Sequence, residues 1–529
     1  MKLVATLNPV YPIGQSSHVE APLNPITLID GYKLDHRRQY PGGTTKVYSN
    51  WTPRTSRVPG QEEVVFFGLQ YFLLRYLMAD FQEFFGSDAD IACKRYQRRI
   101  DSYLGPNQIG TGHIHDLHDL GYMPLEFRAI PEGTPVPLRV PMLTMENTHD
   151  DFAWLTNYFE TLMSSVQWLP CTSATTALRM RRLLDDAARK TGSPEEFVRW
   201  QGHDFSMRGM EGPEAAALSG AGHLLYFTGT DTIPALDLIE SYYGPLPDRY
   251  LIGGSVAATE HSVMCAGGQE DELQTFDRLL QLYPGGILSV VSDTWDLWKV
   301  LTQILPALKD RIMARDGKLV IRPDSGDPTK IICGDPNAPI DSPAHKGTIR
   351  LLWDLFGGIT TPTGHKLLDP HIGCIYGDGI TYERARDIMR RLEAQGFASA
   401  NVVLGIGSFN YQFVTRDTYG FAMKATWVQI DGKGIDIFKK PATDDGMKNS
   451  AKGRLAVLRD RAAFQGKLYL VNQATPDQEA QSELRPVWKD GNFIVQESYA
   501  DVRSRACPQY KVLAKVKGAE WPHGWSTRC

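Results

Sequence analysis

Glu260 and His261 stand in a run of small residues, Gly253-Gly254-Ser255-Val256-Ala257-Ala258-Thr259-Glu260-His261-Ser262. Small side chains let a backbone pass close to a neighbour, so this run suits the wall of a crowded site that its titratable pair would face. A histidine there could act chemically or serve only as a hydrogen-bonded wall residue. A second cluster, RPDSGDP, offers Arg322 and Asp324 beside Gly326. An arginine suits a phosphate and a carboxylate a sugar hydroxyl, although the same two residues also make an ordinary turn-stabilising ion pair. Two glycine turns, Gly377-Asp378-Gly379 and Gly405-Ile406-Gly407-Ser408, could cradle a phosphate on free backbone N–H groups. Neither fits GxGxxG, and no P-loop occurs. Arg416, Lys424, Lys439, Lys440, Lys448, Lys452 and Arg454 make the segment after residue 410 locally basic. That pattern fits either a solvated, salt-bridged face or a polyphosphate site. Near the start, IDGYKLDHRRQYP gathers Asp30, Tyr32, Lys33, Asp35 and His36. His36, His203 and His261 form no HExxH set, so a metal hydrolase has little support and no metal-ligand set is assigned.

The elements that must position these residues follow a repeated pattern: a short apolar run, a Gly/Ser/Asp turn, then a helical stretch. EEFVRW precedes QGHDFSMRG, HLLYF precedes TGTDT, and ILSVV precedes SDTWD. KLVIR precedes PDSGDP, GCIY precedes GDGI, and ANVVL precedes GIGSF. Four or five apolar residues without polar alternation suit strands buried on both faces of a parallel sheet. LWKVLTQILPALKD and TYERARDIMRRLEAQG carry helical spacing, the second closing on Gly396. Such units build a βα barrel or a doubly wound sheet, and both bind ligands at the carboxyl ends of their strands. Asp231, Asp293, Asp324 and Asp378 all fall near such ends. An amphipathic helix, TTALRMRRLLDDAARKTG, precedes this core with Ala177, Met180, Leu184 and Ala187 on one face. After residue 410 the pattern turns to alternation, with a hairpin expected around Asp431-Gly432 and further strands at GKLYLVNQ and GNFIVQES. The expected organisation is a mixed, β-rich segment over 1–170, a barrel-like α/β core over 171–409, and β-rich material over 410–529.

At 529 residues the chain calls for two or three domains. A net charge of -5 gives no global field favouring nucleic acid or an acidic membrane. Seven cysteines without a CxxC pair suggest a reducing compartment. The start, MKLVATLNPVYPIGQ, has no continuous apolar region, and no run is long enough for a membrane span, so cytoplasm is the expected setting.

Ten motifs together resemble the nicotinamide phosphoribosyltransferase family in order and approximate spacing. They are DGYKLDHRRQYP, KVYSNWTPR, FFGLQYFL, HDFSMRG, GTDT, SVAATEHS, SVVSDTWD, IRPDSGDP, GDG and KGRL, from about residue 28 onward. The resemblance implies an irregular βα barrel of the type II phosphoribosyltransferase kind, with a β-rich second domain built from both chain ends. It implies a homodimer with interfacial active sites that makes nicotinamide mononucleotide and pyrophosphate from nicotinamide and phosphoribosyl pyrophosphate. By the same resemblance, Phe205 and the partner subunit's Tyr32 would sandwich the pyridine ring, and Asp231 would face the carboxamide. Arg208 and Arg322 would hold phosphates, and Asp324 ribose hydroxyls. Ser292 would join the substrate-binding set, and Gly377, Asp378, Gly407 and Ser408 would receive the 5′-phosphate. Arg54, Arg416, Lys424, Lys439 and Lys448 would line the pyrophosphate and nucleotide path. His261 would accept the γ-phosphoryl group of ATP, with Asp296 orienting it and Glu260 beside it, and Mg²⁺ would assist.

The sequence departs from the family pattern at Ser408-Phe409, where a further glycine is expected, at Met207, and at Thr259. Two alternatives share the implied fold: a nicotinate phosphoribosyltransferase, disfavoured by the charge of Asp231, and a ligand-binding protein without turnover.

Overall fold

The protein is described by a computed structural model covering residues 24–377, 379–439, 450–462 and 466–508. Asp378, Lys440 and Lys448, named above, lie outside the described residues. Two seven-stranded sheets dominate. One is wholly parallel, in the order Gly229–Thr230, Gly202–Asp204, Val402–Ile406, Ile372–Tyr376, Asp316–Arg322, Gly285–Val291 and Ala257–Ala258. Its two edges meet. Gly229 bridges Gly254, with Thr230 N donating to Gly254 O at 3.0 Å and Gly254 N to Thr228 O at 2.8 Å. The segment leading into the last strand thus returns to the first, and the sheet curls into an irregular barrel.

The second sheet is antiparallel and draws on both chain ends: Lys433–Asp436, Ala422–Ile430, Thr44–Thr52, Leu143–Asn147, Leu125–Ala129, Arg485–Lys489 and Asn492–Phe493. Its third strand, Thr44–Thr52, joins the two parts of the chain, pairing with Leu143–Asn147 on one side and Ala422–Ile430 on the other. The Asp431-Gly432 hairpin forms as expected, and both turn residues adopt positive φ, 50° and 76°. One continuous apolar core joins Trp51 and Phe127 of this sheet to Leu319 and Val402 of the barrel. Among the described residues, no helix is long and apolar enough to cross a membrane.

Several boundaries differ from expectation. EEFVRW is not a strand: Glu195–Phe197 and Val198–Gln201 are helical, and the strand is the next three residues, Gly202–Asp204. HLLYF ends the Pro213–His223 helix and its following turn, and the strand is Gly229–Thr230. Strands this short carry no alternation that the apolar run beside them cannot imitate. GNFIVQES contributes only Asn492–Phe493. The amphipathic helix begins well upstream and runs from Glu160 to Thr191, through Pro170 and through position 171. Ala177, Met180, Leu184 and Ala187 all face its buried side. Pro170 packs against Gly68, where a Cβ would come within 2.6 Å of the proline ring.

Buried Glu132 ties the outer layer to the barrel. Its carboxylate accepts from Gly68 N at 2.8 Å, Gln70 N at 2.7 Å and Tyr243 Oη at 2.9 Å. Gln70 Nε2 in turn donates to Tyr242 O and Glu497 O, linking three distant parts of the chain. Burial pushes the Glu132 pKa up to about 7 against the three donors, which favour its ionised, purely accepting form. The isosteric Glu132→Gln change brings an amide NH₂ against them and should cost about 1–3 kcal/mol, read as a lowered denaturation midpoint with an unchanged denaturant slope.

Candidate active site

Parallel pairing puts every strand's carboxyl end at one mouth of the barrel, and the polar residues of the turns collect there. The lumen holds a cavity of about 270 Å³. His203 and Phe205, alternate residues leaving the Gly202–Asp204 strand, both line it, with ring centroids 4.6 Å apart. Gly405 on the neighbouring strand makes room for Phe205: a Cβ there would lie 2.7 Å from the Phe205 ring and 2.9 Å from Gly377 Cα. Gly377 makes equivalent room for Asp324, whose Oδ1 would be 2.3 Å from a Cβ. The glycines of these two turns therefore serve close approach.

Asp231 follows the Gly229–Thr230 strand and faces the cavity. Its Oδ1 receives both His203 Nε2, at 2.8 Å, and Ser255 Oγ. Oδ2 takes no protein donor among the described residues and is the oxygen left for a ligand. Burial pushes the carboxyl pKa up, but hydrogen bonds from His203 and Ser255 and the charge of Arg322 outweigh it, and the net shift is downward. Asp231 is thus a carboxylate at neutral pH.

Arg322 ends its strand pointing into the lumen, with Nη2 donating to Thr259 O at 2.8 Å. Its Nε is buried with no hydrogen-bond partner, an orphaned donor beside the cavity. Thr259 is held in turn: its N–H reaches Ser289 O, and its hydroxyl accepts Val291 N at 2.9 Å. The hydroxyl extends the ladder beyond Ala257–Ala258, which gives this departure from the family pattern a structural role. Glu260 then N-caps the short helix His261–Cys265 and accepts from Ser262 Oγ.

The carboxylate nearest His261 is that of Asp293, whose Oδ1 is buried, takes no hydrogen bond and lies 3.8 Å from His261 Nε2. Its other oxygen, Oδ2, accepts Asp324 N at 2.8 Å and Ser325 N at 2.7 Å, locking the PDSG turn to the SDTWD turn. Asp296, expected to orient His261, instead caps the next helix, accepting from Trp298 N at 2.9 Å and Lys299 N at 3.2 Å. Ser292, expected to bind substrate, is fully buried and donates to Val290 O of its own strand at 2.7 Å. Of the two serines at this strand end the one that lines the lumen is Ser289, whose hydroxyl has no partner among the described residues.

Arg208 is exposed on the Met207–Gly209 turn, which packs against Ser408 so closely that a Cβ on Gly209 would meet its Oγ at 2.3 Å. Gly407 has open space around it and precedes the Ser408–Tyr411 helix. Phe409 stands on the surface, stacked on Phe413 at 4.9 Å.

The basic residues form a separate cluster. Glu160 Oε2 binds Lys33 Nζ at 2.6 Å, and its Oε1 lies 3.8 Å from Lys424 Nζ. Burial lowers the Lys424 pKa, as do the charges of Arg54, Lys33 and Lys439, against the opposing effect of Glu160. Arg54 is lowered by burial and by Arg416, which also contacts Asp417 at 3.1 Å. Tyr32, 65% exposed, stands beside Lys33. Neither Tyr32 nor the cations of this cluster line the lumen. Sequence reading overlooked His203 and Ser255 as partners of Asp231 and Ser289 as a wall residue. It noted Asp293 only as a strand-end acid.

Comparison with known proteins matches this arrangement. Residues 200–492 match the model of the nicotinate phosphoribosyltransferase family, and residues 24–102 match that of the nicotinamide phosphoribosyltransferase N-terminal domain. The chain is 49% identical over 500 residues to nicotinamide phosphoribosyltransferase of Acinetobacter baylyi, spanning 92% of this chain and 98% of that protein. It is 36% identical to the protein of that name from Mycoplasma pneumoniae, over 83% of this chain and 96% of the relative. Nicotinate-nucleotide pyrophosphorylase from Pyrococcus furiosus shares the fold, at a TM-score of 0.56 and 16% identity over 97% of this chain and 98% of its own. Human nicotinic acid phosphoribosyltransferase does so at 0.50 and 17%, over 91% and 93%. With barrel, outer sheet and matches along nearly its whole length in agreement, the chain belongs to the nicotinamide phosphoribosyltransferase family of pentosyltransferases.

Proposed function

We propose that the protein transfers phosphoribosyl from phosphoribosyl pyrophosphate to nicotinamide in NAD salvage, in the cytoplasm, as a homodimer. The observation that carries this reading is Asp231, an ionised carboxylate in an aromatic-walled lumen with one oxygen spoken for and the other left for a ligand. That oxygen accepts an amide N–H from nicotinamide and repels the carboxylate of nicotinate. Phe205 supplies a face for the ring. The ring nitrogen, which carries a lone pair and no proton, attacks the anomeric carbon as pyrophosphate leaves. No general base is required. Catalysis rests on alignment and on neutralising the leaving group, through a transition state resembling an oxocarbenium ion. Asp324, locked by Asp293, is placed for ribose hydroxyls, and Arg322 with its orphaned Nε for a phosphate. The Asp324 carboxylate is a hard oxygen donor beside Arg322, and Mg²⁺ commonly binds one or two carboxylates plus substrate phosphates, so this residue would hold it. Bound there, Mg²⁺ would supply charge neutralisation to the pyrophosphate.

The cationic cluster of Lys33, Arg54, Arg416, Lys424 and Lys439 lies apart from the lumen, as does Tyr32. In the proposed homodimer with shared sites, a second copy of the chain would bring both to the mouth of the first. His261, half exposed and 3.8 Å from the unpartnered Asp293 oxygen, suits the phosphoryl-accepting role. A neutral imidazole nitrogen is a competent nucleophile toward the γ-phosphorus of ATP, with ADP leaving, and the carboxylate would hold the ring through its other nitrogen.

Three measurements test this reading. Mononucleotide formation should favour nicotinamide strongly over nicotinate, and Asp231→Asn should shrink that preference in kcat/KM at least about tenfold, or ~1.4 kcal/mol; equal use of both bases by the native enzyme would remove Asp231 from its role. ATP should accelerate turnover and label the protein with γ-phosphoryl, and His261→Ala should abolish both the label and the acceleration ratio. Phe205→Ala and Lys424→Ala should each be impaired alone, whereas mixed subunits should recover about a quarter of native activity, since half the dimers would hold one intact site. No recovery on mixing would place both residues in the same subunit's site.

A further inference from the structure

The barrel closes on a short seam. Asp316–Arg322 pairs with Gly285–Val291 along its whole length, whereas the two sheet edges meet at the single bridge of Gly229 with Gly254. Their approach is close: a Cβ on Gly253 would lie 2.8 Å from Leu224 Cδ2 and 3.0 Å from Thr230 Cγ2. Just before that bridge a fully buried arginine from late in the chain grips both edges. Arg503 Nη2 donates to Phe227 O at 2.7 Å and to Thr228 Oγ1 at 3.1 Å. Its Nη1 donates to Leu251 O at 3.0 Å and to Ile252 O at 2.8 Å. Each arm of the planar fork thus holds one edge. Three residues past each grip stand Asp231 and Ser255, the pair joined by the Ser255 Oγ bond to Asp231 Oδ1.

Arg503 is placed by its own helix, Tyr499–Ala506. Ser498 Oγ caps the first turn by accepting Asp501 N at 3.2 Å. Tyr499 N donates to Tyr243 O at 2.9 Å, and Tyr499 Oη to Ala221 O at 2.8 Å. Gly133 meets the helix so closely that a Cβ there would lie 2.4 Å from Val502 O. A guanidinium anchored in this way sets how far apart the two edges stand. Being buried, it cannot give up these acceptors without leaving a charge unmet.

We propose that Arg503 is a positioning residue for the amide seat: by spanning the seam it places Ser255 on Asp231 and so fixes the carboxylate that faces the lumen. Acceptors on two edges call for a planar fork, which the compact ammonium of a lysine does not supply. The consequence for nicotinamide rests on the function proposed above, whereas the hold on the seam does not.

Hydrogen exchange of the full chain, read by mass spectrometry, and steady-state kinetics test this together in Arg503→Lys. Backbone amides of 228–231 and 253–256 should exchange at least about tenfold faster than in the native protein, while those of Gly285–Val291 and Asp316–Arg322 keep their native rates. The KM for nicotinamide should rise at least about tenfold, with kcat and the KM for phosphoribosyl pyrophosphate changed by less than about threefold. Thr228→Val removes one acceptor and leaves the guanidinium its three carbonyls. It should move both readouts the same way by a smaller factor, and it carries the test if Arg503→Lys does not fold. Native exchange at the seam, acceleration across the whole barrel, or an unchanged nicotinamide KM beside an opened seam would overturn the proposal. Faster exchange confined to the seam, in a protein whose native form makes no mononucleotide, would uphold the role of Arg503 there and refute the proposed reaction.

Discussion

Parallel pairing around the closed sheet is the constraint from which the rest of the site follows. Seven strands running the same way leave all their carboxyl-end turns at one mouth, so residues far apart in sequence arrive together without any local motif to gather them. The closure at Gly229 and Gly254 completes the set, because it brings Ser255 beside Asp231. Glycines at 377 and 405 then allow neighbouring turns to approach more closely than any side chain would permit.

Within that mouth, the two oxygens of each key carboxylate do different work. Asp231 spends Oδ1 on His203 and Ser255, which holds it ionised and oriented, and keeps Oδ2 for the lumen. Asp293 spends Oδ2 on the PDSG turn and turns Oδ1 toward His261. One acid thereby fixes a substrate-facing turn and addresses a histidine on another element. Positive charge meets Asp231 from Arg322 inside the lumen, whereas Lys33 and Lys424 gather around Glu160 apart from it.

Much of this was legible in the sequence. Buried apolar runs followed by acidic turns announced a parallel sheet, barrel or doubly wound, and Asp231, Asp324 and Arg322 stood at strand ends where such folds bind ligands. The misses have physical causes. SDTWD holds two aspartates, and only the course of the backbone shows that Asp293 turns inward while Asp296 meets the N–H groups of the next helix. Ser289 and Ser292 differ by an odd number of residues, so the side-chain alternation of the strand separates them, and without the strand's exact end their faces cannot be told. His203 reads as an unremarkable residue until a neighbouring strand supplies its carboxylate. EEFVRW misled because a three-residue strand cannot outvote the apolar helix before it.

The Glu160–Thr191 helix carries one more consequence. At 1.5 Å per residue its 32 residues span about 48 Å. Its first residue holds Lys33 and Lys424, and its last is bonded to Ser399 and Thr361 at the far side of the barrel. Between them Gly222 lies against its backbone, where a Cβ would be 2.9 Å from Ala174 N. A rod anchored at both ends and seated along its middle leaves no hinge between the outer layer and the barrel. Closure over a bound ligand therefore falls to the mouth turns themselves, each a few residues long, rather than to any swing of one half of the subunit against the other.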